Sequence, residues 1–263
     1  MRKIWIGAVL SCSLILINCG GGEKPAETAK TDASAPAAGA GGGAATPDEA
    51  NGGTITGKVA FTGDAPKMAK LDMSAQPKCE AAHKGEPVKS QEVVVNSNGT
   101  LKNAFVWVKS GLPDKQWAIP ATAVSLDQHG CMYAPHVIGI VAGQNIEVKN
   151  SDPTNHNIHP MPSVNADWNE SQSPGEPPKM KTFARQEVMI PVKCNVHPWM
   201  RSYIGVVGHP FFAVTGDDGT FTIKGLPPGT YTIQAWHEKY GTQEQQVTVG
   251  AKESKTVDFS IKG

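Results

Sequence analysis

Beyond residue 53 the chain alternates apolar and polar positions over short runs. Thr54–Phe61 (TITGKVAF), Asn145–Asn150 (NIEVKN) and Thr220–Lys224 (TFTIK) each follow a two-residue period, the spacing of a strand with one face buried. Turn signals punctuate these runs at Asn98-Gly99, Asp218-Gly219 and Pro227-Pro228-Gly229. No window sustains a 3.6-residue period. Short alternating strands separated by such turns predict an all-β fold of sandwiches or barrels. In the run Glu187–Lys193, Val188, Ile190 and Val192 share one parity with Cys194, so the thiol is predicted to face the apolar side. Pro191 in the same run cannot donate to a ladder, which predicts an edge strand or a bulge.

The first 53 residues follow neither pattern. Arg2 and Lys3 precede an apolar stretch from Ile4 to Ile17, which is too short to span a bilayer comfortably and reads as a signal peptide over residues 1–18. Its end, Leu16-Ile17-Asn18-Cys19-Gly20, resembles the lipobox of bacterial lipoproteins. That resemblance implies lipidation of Cys19, with Cys12 as the alternative. Residues 19–53 hold no aromatic and no large aliphatic side chain, so they are expected to form a disordered linker. A Gly/Ala-rich coil of this length has an r.m.s. span on the order of 30 Å. The chain is therefore expected to be exported and lipid-anchored at a membrane, periplasmic or at the cell surface, with an outer-membrane anchor the working expectation.

Composition narrows the rest. The 263 residues allow one or two domains, and 28 glycines with 20 prolines suit turn-rich β structure. Lys plus Arg equals Asp plus Glu at 24 each, so there is no basic field to attract nucleic acid.

The candidate chemistry lies in two loops. One is Asn150–His159, containing Asp152, His156 and Asn157; the other is Cys194-Asn-Val-His197-Pro198-Trp199-Met200. A thiolate, an imidazole and a thioether at three-residue intervals can converge from one tight turn, and His156 would add a second nitrogen. Two imidazoles, a thiolate and a weak axial thioether select copper. Two alternatives stand beside this: a structural zinc site, although zinc normally closes with further Cys or His, and a metal-free core. Without the signal's Cys12 and Cys19, three cysteines remain. An odd count in an exported chain calls for one thiol with a separate task. If Cys194 holds the metal, Cys79 and Cys131 are free to pair as a disulfide.

Here the sequence resembles the cupredoxins, and among them the amicyanin-like group, over roughly residues 120–210. The matching patterns are Cys194-x-x-His197-x-x-Met200 and the upstream Asn150-x-Asp152-x-x-x-His156-Asn157. The resemblance implies one type 1 copper bound by His156, Cys194, His197 and Met200, with Asn157 bracing the two loops. A second resemblance covers the C-terminal part: Asp218-Gly-Thr-Phe-Thr-Ile-Lys-Gly-Leu-Pro-Pro-Gly-Thr-Tyr231 is similar to the core motif of the carboxypeptidase regulatory-like, transthyretin-like β-sandwich. Thr56-Gly-Lys-Val59 and Asn103–Val108 fit that sandwich's earlier strands. The implied plan is N-terminal strands of this sandwich at 54–119, a cupredoxin at 120–210 inserted into it, and its remaining strands at 211–263. The competing plan is an extended cupredoxin followed by an independent module.

Trp199, with Pro198, is expected either to form an apolar docking patch around an exposed edge of the copper histidine or simply to pack inward. His129 and His136 flank Cys131 and could join it in a second metal site; the favoured reading makes them strand and turn residues. His83, His159, His209 and His237 receive no ligand role. The functional expectation is a non-enzymatic carrier of single electrons that docks a redox protein partner and has no small-molecule substrate. A copper storage, delivery or sensing protein, and a structural or glycan-binding envelope module, remain as rivals.

Overall fold

The computed structural model describes residues 44–84 and 86–263. The signal segment, Cys19 and most of the linker lie outside them. Among the described residues no helix is long and apolar enough to cross a membrane.

Among the described residues the expected all-β architecture is observed as four sheets and one short helix, α1 (Pro77–Ala82). In the first sheet β1 (Gly53–Thr62) lies between β13 (Thr220–Leu226) and β16 (Ser254–Thr256), and β17 (Phe259–Lys262) pairs further along β1. In the second the order is β12 (Phe212–Val214), β2 (Phe105–Ser110), β14 (Gly229–His237) and β15 (Gly241–Val249). Their facing sides bury one apolar core that includes Ile55, Val59, Val106, Val108, Phe221, Ile223, Tyr231 and Ile233. The predicted alternation is visible in the burial of β13, where Phe221 and Ile223 point inward and Thr220, Thr222 and Lys224 outward.

The intervening strands form the other two sheets. One runs β5 (Val137–Val141), β11 (Arg201–Val207), β10 (Glu187–Lys193), β7 (His156–Pro160), β8 (Glu170–Gln172). The other runs β4 (Met132–Ala134), β3 (Val124–His129), β6 (Ile146–Asn150), β9 (Lys179–Lys181). Between them lies a second core with Leu126, Ile140, Val148, Ile158, Ile190, Val192 and Ile204, and both Cys194 and Met200 belong to it. Strand β10 is interior rather than an edge; its register shift lies between Glu187 and Ile190, ahead of Pro191, which keeps a regular pairing with Tyr203.

A third, smaller core of Phe105, Trp107, Val137 and Val207 joins the second sheet to the β5–β11 pair. Two glycines permit that approach. A Cβ at Gly139 would fall 2.4 Å from the Phe212 ring, and one at Gly205 would fall 2.6 Å from Phe105. Neither ring could stay where it is against a larger residue.

The end of the expected linker is a correction. Residues 44–53 are ordered: the Ala45 amide donates to the Gln116 carbonyl at 2.8 Å, and the Ala118 amide returns a bond to Ala45 at 2.7 Å. The Asp48 carboxylate accepts the Asn51 amide at 3.0 Å, closing a turn before β1. A segment without large apolar side chains is held here by its backbone, which periodicity and composition do not register.

His209 shows how burial couples this scaffold to pH. Its ring donates from Nε2 to the Val108 carbonyl at 2.9 Å and accepts the Phe211 amide on Nδ1 at 3.2 Å. Burial pushes its pKa down to about 4. The unfolded value of about 6.5 is higher, so the neutral ring's contribution is complete above that pH and is lost as pH falls toward 4. Over that interval the loss is roughly 3 kcal/mol, at about 1.4 kcal/mol per pH unit. Denaturant midpoints measured from pH 7 to pH 4 are expected to fall, and His209→Gln to flatten much of that fall.

Candidate metal centre

His156 opens β7, immediately after the loop that leaves β6. Asn150 shapes that loop: its carboxamide donates to the carbonyls of Thr154 and Gln172, each at 2.9 Å, and accepts the Asp152 amide at 3.0 Å. The turn aims the Asp152 carboxylate inward. There it accepts the amides of Gly130 and Cys131, both at 2.7 Å, and meets His156 Nε2 at 2.7 Å. Burial alone would raise the Asp152 pKa, but the bonds from His156, Cys131 and Gly130 outweigh it and hold the carboxyl below its ordinary value. The charged acceptor holds one imidazole proton on Nε2 and turns Nδ1 toward Cys194 and His197. Burial by itself would lower the His156 pKa, but Asp152 and Cys194 outweigh it and raise the pKa above its ordinary value.

The second loop follows β10. Cys194 ends the alternating run with its side chain turned into the core, as its parity predicted, and the residue is 3% exposed. The Met200 amide donates to the His197 carbonyl at 2.9 Å, and the Cys194 amide to the Met200 carbonyl at 3.3 Å. The His197 amide points at Cys194 Sγ from 3.4 Å. These contacts close residues 194–200 into a tight turn before β11. Burial raises the thiol's pKa, yet hydrogen bonds from His156 and from the loop amides bring it below the ordinary value. Tyr133 is pushed upward, by its own burial and then by the neighbouring thiolate.

The loops meet at three atoms. His156 Nδ1 and His197 Nδ1 stand 3.0 Å apart, Cys194 Sγ lies 3.8 Å from His197 Nδ1, and donor atoms of all three residues fall within 4.8 Å of one another. Two nitrogens each about 2 Å from a shared ion sit about 3 Å apart, so the spacing suits coordination as it stands. Burial and the neighbouring His156 lower the pKa of His197, which favours its neutral, ligating form. Met200 is fully buried in the same core. Asn157 spans the two loops as the resemblance implied: its Oδ1 accepts the Asn195 amide at 3.0 Å, and its Nδ2 donates to the Glu170 carbonyl at 3.1 Å. The donor set of two imidazole nitrogens, one thiolate and a buried thioether fits copper, and among these groups zinc lacks a hard fourth donor.

Cys79 and Cys131 form a disulfide. It lies directly against the centre, with Cys79 Sγ 3.5 Å from His197 Nε2. This overturns the expectation of an exposed histidine edge. His197 is fully buried, and Trp199 folds back over it, ring centroids 5.2 Å apart, donating from Nε1 to the Cys131 carbonyl at 3.0 Å. Pro198 is exposed and Trp199 only half-buried. The disulfide and the Trp199 ring both lie against the buried imidazole.

The other histidines stand apart from the three converging donors. His136 pairs with Glu238 at 2.5 Å, His159 faces Asp167 at 3.3 Å, His83 meets the Gly130 carbonyl at 2.7 Å, and His237 stacks on Tyr240. His129 is exposed at the end of β3. With Cys131 in the disulfide, His129 and His136 form no second site with it among the described residues. Asp152, which the sequence places in the candidate loop without a role, is the functional residue the structure adds. Its four-residue spacing ahead of His156 was the available signal, but only the turn at Asn150 directs the carboxylate to Nε2. Asp152→Asn is expected to weaken copper binding by roughly 10–100-fold, measured by competition against a chelator of known affinity.

Comparison with known proteins adds one assignment. Residues 205–262 match the family model of the carboxypeptidase regulatory-like domain. The match takes in β12 to β17, as the motif between Asp218 and Tyr231 led one to expect. Among solved structures the chain is similar to a copper-containing nitrite reductase from Thermus scotoductus SA-01, with 20% identity, 37% of this chain and 25% of that chain covered, and a TM-score of 0.30. It is also similar to a purple cupredoxin from Nitrosopumilus maritimus, with 18% identity, coverage of 32% and 98%, and a TM-score of 0.27. The oxidised state of an amicyanin mutant matches at 18% identity, coverage of 40% and 98%, and a TM-score of 0.30. The chain thus spans a quarter of the nitrite reductase's length, and likenesses at these scores decide nothing about its chemistry. No curated protein matches the chain.

Proposed function

We propose that this protein is an exported, lipid-anchored carrier of single electrons, built on one copper ion held by His156, Cys194, His197 and the thioether of Met200. The observation that carries the reading is the meeting of two imidazole Nδ1 atoms, 3.0 Å apart, beside a buried thiol whose pKa is lowered. Copper, when bound, supplies a one-electron Cu(II)/Cu(I) couple at a site of this composition.

The chain's own residues do the rest. Asp152 holds the Nε2 proton of His156 and turns Nδ1 toward Cys194 and His197, the nitrogen that would ligate copper once its own proton has left. Asn157 ties the two loops through the Asn195 amide, and the bonds within 194–200 close the turn that carries Cys194, His197 and Met200 before any ion arrives. Burial of His156, Cys194, His197 and Met200, at 0–3% exposure, excludes water. A donor set held in one arrangement has little to reorganise when the charge at its centre changes by one, which suits carriage of electrons rather than bond-making. The partner in this reading is a redox protein that docks transiently, over a small interface.

Adding Cu(II) to the purified chain is expected to give one tightly bound ion and an intense visible thiolate-to-copper charge-transfer band. Binding without that band, or a preference for zinc, would overturn the proposal.

A further inference from the structure

The Cys79–Cys131 disulfide does more than staple the fold. We propose that, once reduced, its two thiols and the outer nitrogen of His197 form a second metal site, selective for Cu(I). The site lies back to back with the first, on the other nitrogen of the same imidazole.

The placement rests on three observations. Ligand atoms of Cys79, Cys131 and His197 fall within 4.8 Å of one another. All three residues are buried, at 1% exposure or less. His197 faces the two clusters with different atoms, Nδ1 toward His156 and Cys194 and Nε2 toward Cys79 at 3.5 Å. An imidazole can donate from both nitrogens once Nε2 gives up its proton.

The chemistry balances with a dithiol as reductant. The dithiol gives two electrons and two protons to the S–S bond, which breaks into two thiols while the dithiol closes to its own disulfide. Cu(I) then binds two thiolates and Nε2 and releases three protons. Two thiolates with one imidazole suit soft Cu(I) in a low coordination number, whereas Zn(II) would need a fourth donor. Asp152, the nearest hard group, is committed to His156 and to the Gly130 and Cys131 amides. In this state the chain would carry two copper ions, and a reducing environment would add copper capture to electron carriage.

The inference shares His197 with the proposed electron-transfer centre but is tested apart from it. The full chain is titrated anaerobically with Cu(I) against bicinchoninate, before and after a phosphine reductant that is removed by gel filtration. Thiol counts and near-UV circular dichroism are followed in parallel. Expected uptake is one equivalent before reduction and two after. Cys194→Ser should take up none before and one after, and the Cys79→Ser/Cys131→Ser double variant one under both conditions. Failure of the first equivalent alone would sink the electron-transfer reading and spare this one. No added equivalent after the thiol count has risen by two would overturn the second site. So would loss of the folded dichroism on reduction, because the site needs His197 held in place.

Discussion

Cys194→Ser is expected to abolish the visible band of the copper-loaded protein and to lower its copper affinity by more than the roughly 10–100-fold that loss of an outer hydrogen-bond partner costs. The substitution changes one atom at a buried position, so packing around Ile190, Val192 and Ile204 stays almost unaltered. The hydroxyl can still receive the His197 amide that now points at Sγ from 3.4 Å. It cannot supply a thiolate. At neutral pH a serine stays protonated, and the soft donor that distinguishes this centre from an ordinary pair of buried histidines is gone. Thermal or denaturant unfolding of the copper-free variant is therefore expected to stay close to that of the parent chain, while absorbance and chelator competition change severely. A variant that kept the band would place the thiolate donor elsewhere and refute the assignment of Cys194.

Removing both halves of the disulfide, as Cys79→Ala/Cys131→Ala, is expected to show the opposite pattern. The two residues are 52 apart in sequence, and closing a loop of that length constrains the unfolded chain by roughly 4 kcal/mol in the chain-entropy treatment. The truncations also leave a void beside Met132 and Tyr133, which share their core. The denaturant midpoint should fall accordingly. The band should persist, since Cys79 touches His197 at Nε2 and not at the nitrogen that faces Cys194. A double variant as stable as the parent would show that the segment around α1 is held by its packing and not by the bond.

These two outcomes separate roles that the sequence places close together but does not distinguish. Cysteine arithmetic singled out Cys194 and left Cys79 and Cys131 to pair, and the structure pairs them. It offered no hint that the pair would rest against a candidate ligand, because Cys79 and His197 are 118 residues apart. The same limit applies to Trp199. Its position between His197 and Met200 was plain from the sequence, but an outward docking surface and an inward-packed ring are equally compatible with that spacing. The bond from its indole nitrogen to the Cys131 carbonyl decides for a ring folded back over the site.

What the sequence determined by itself is everything encoded in short windows. Two-residue alternation specifies strands with one buried face, and it extends to the parity that turns Cys194 inward. Three-residue spacing puts a thiol, an imidazole and a thioether on one turn. What only the tertiary structure decided depends on which distant surfaces meet. Strand β1 takes its partners from residues 220–262, Asp152 reaches amides in the 130–131 turn, and backbone bonds to residues 116–118 order the start of the described chain. Cys79 of the disulfide comes to rest against Nε2 of His197. Local pattern carries no record of such contacts, because each arises from surfaces that only packing of the whole chain brings together.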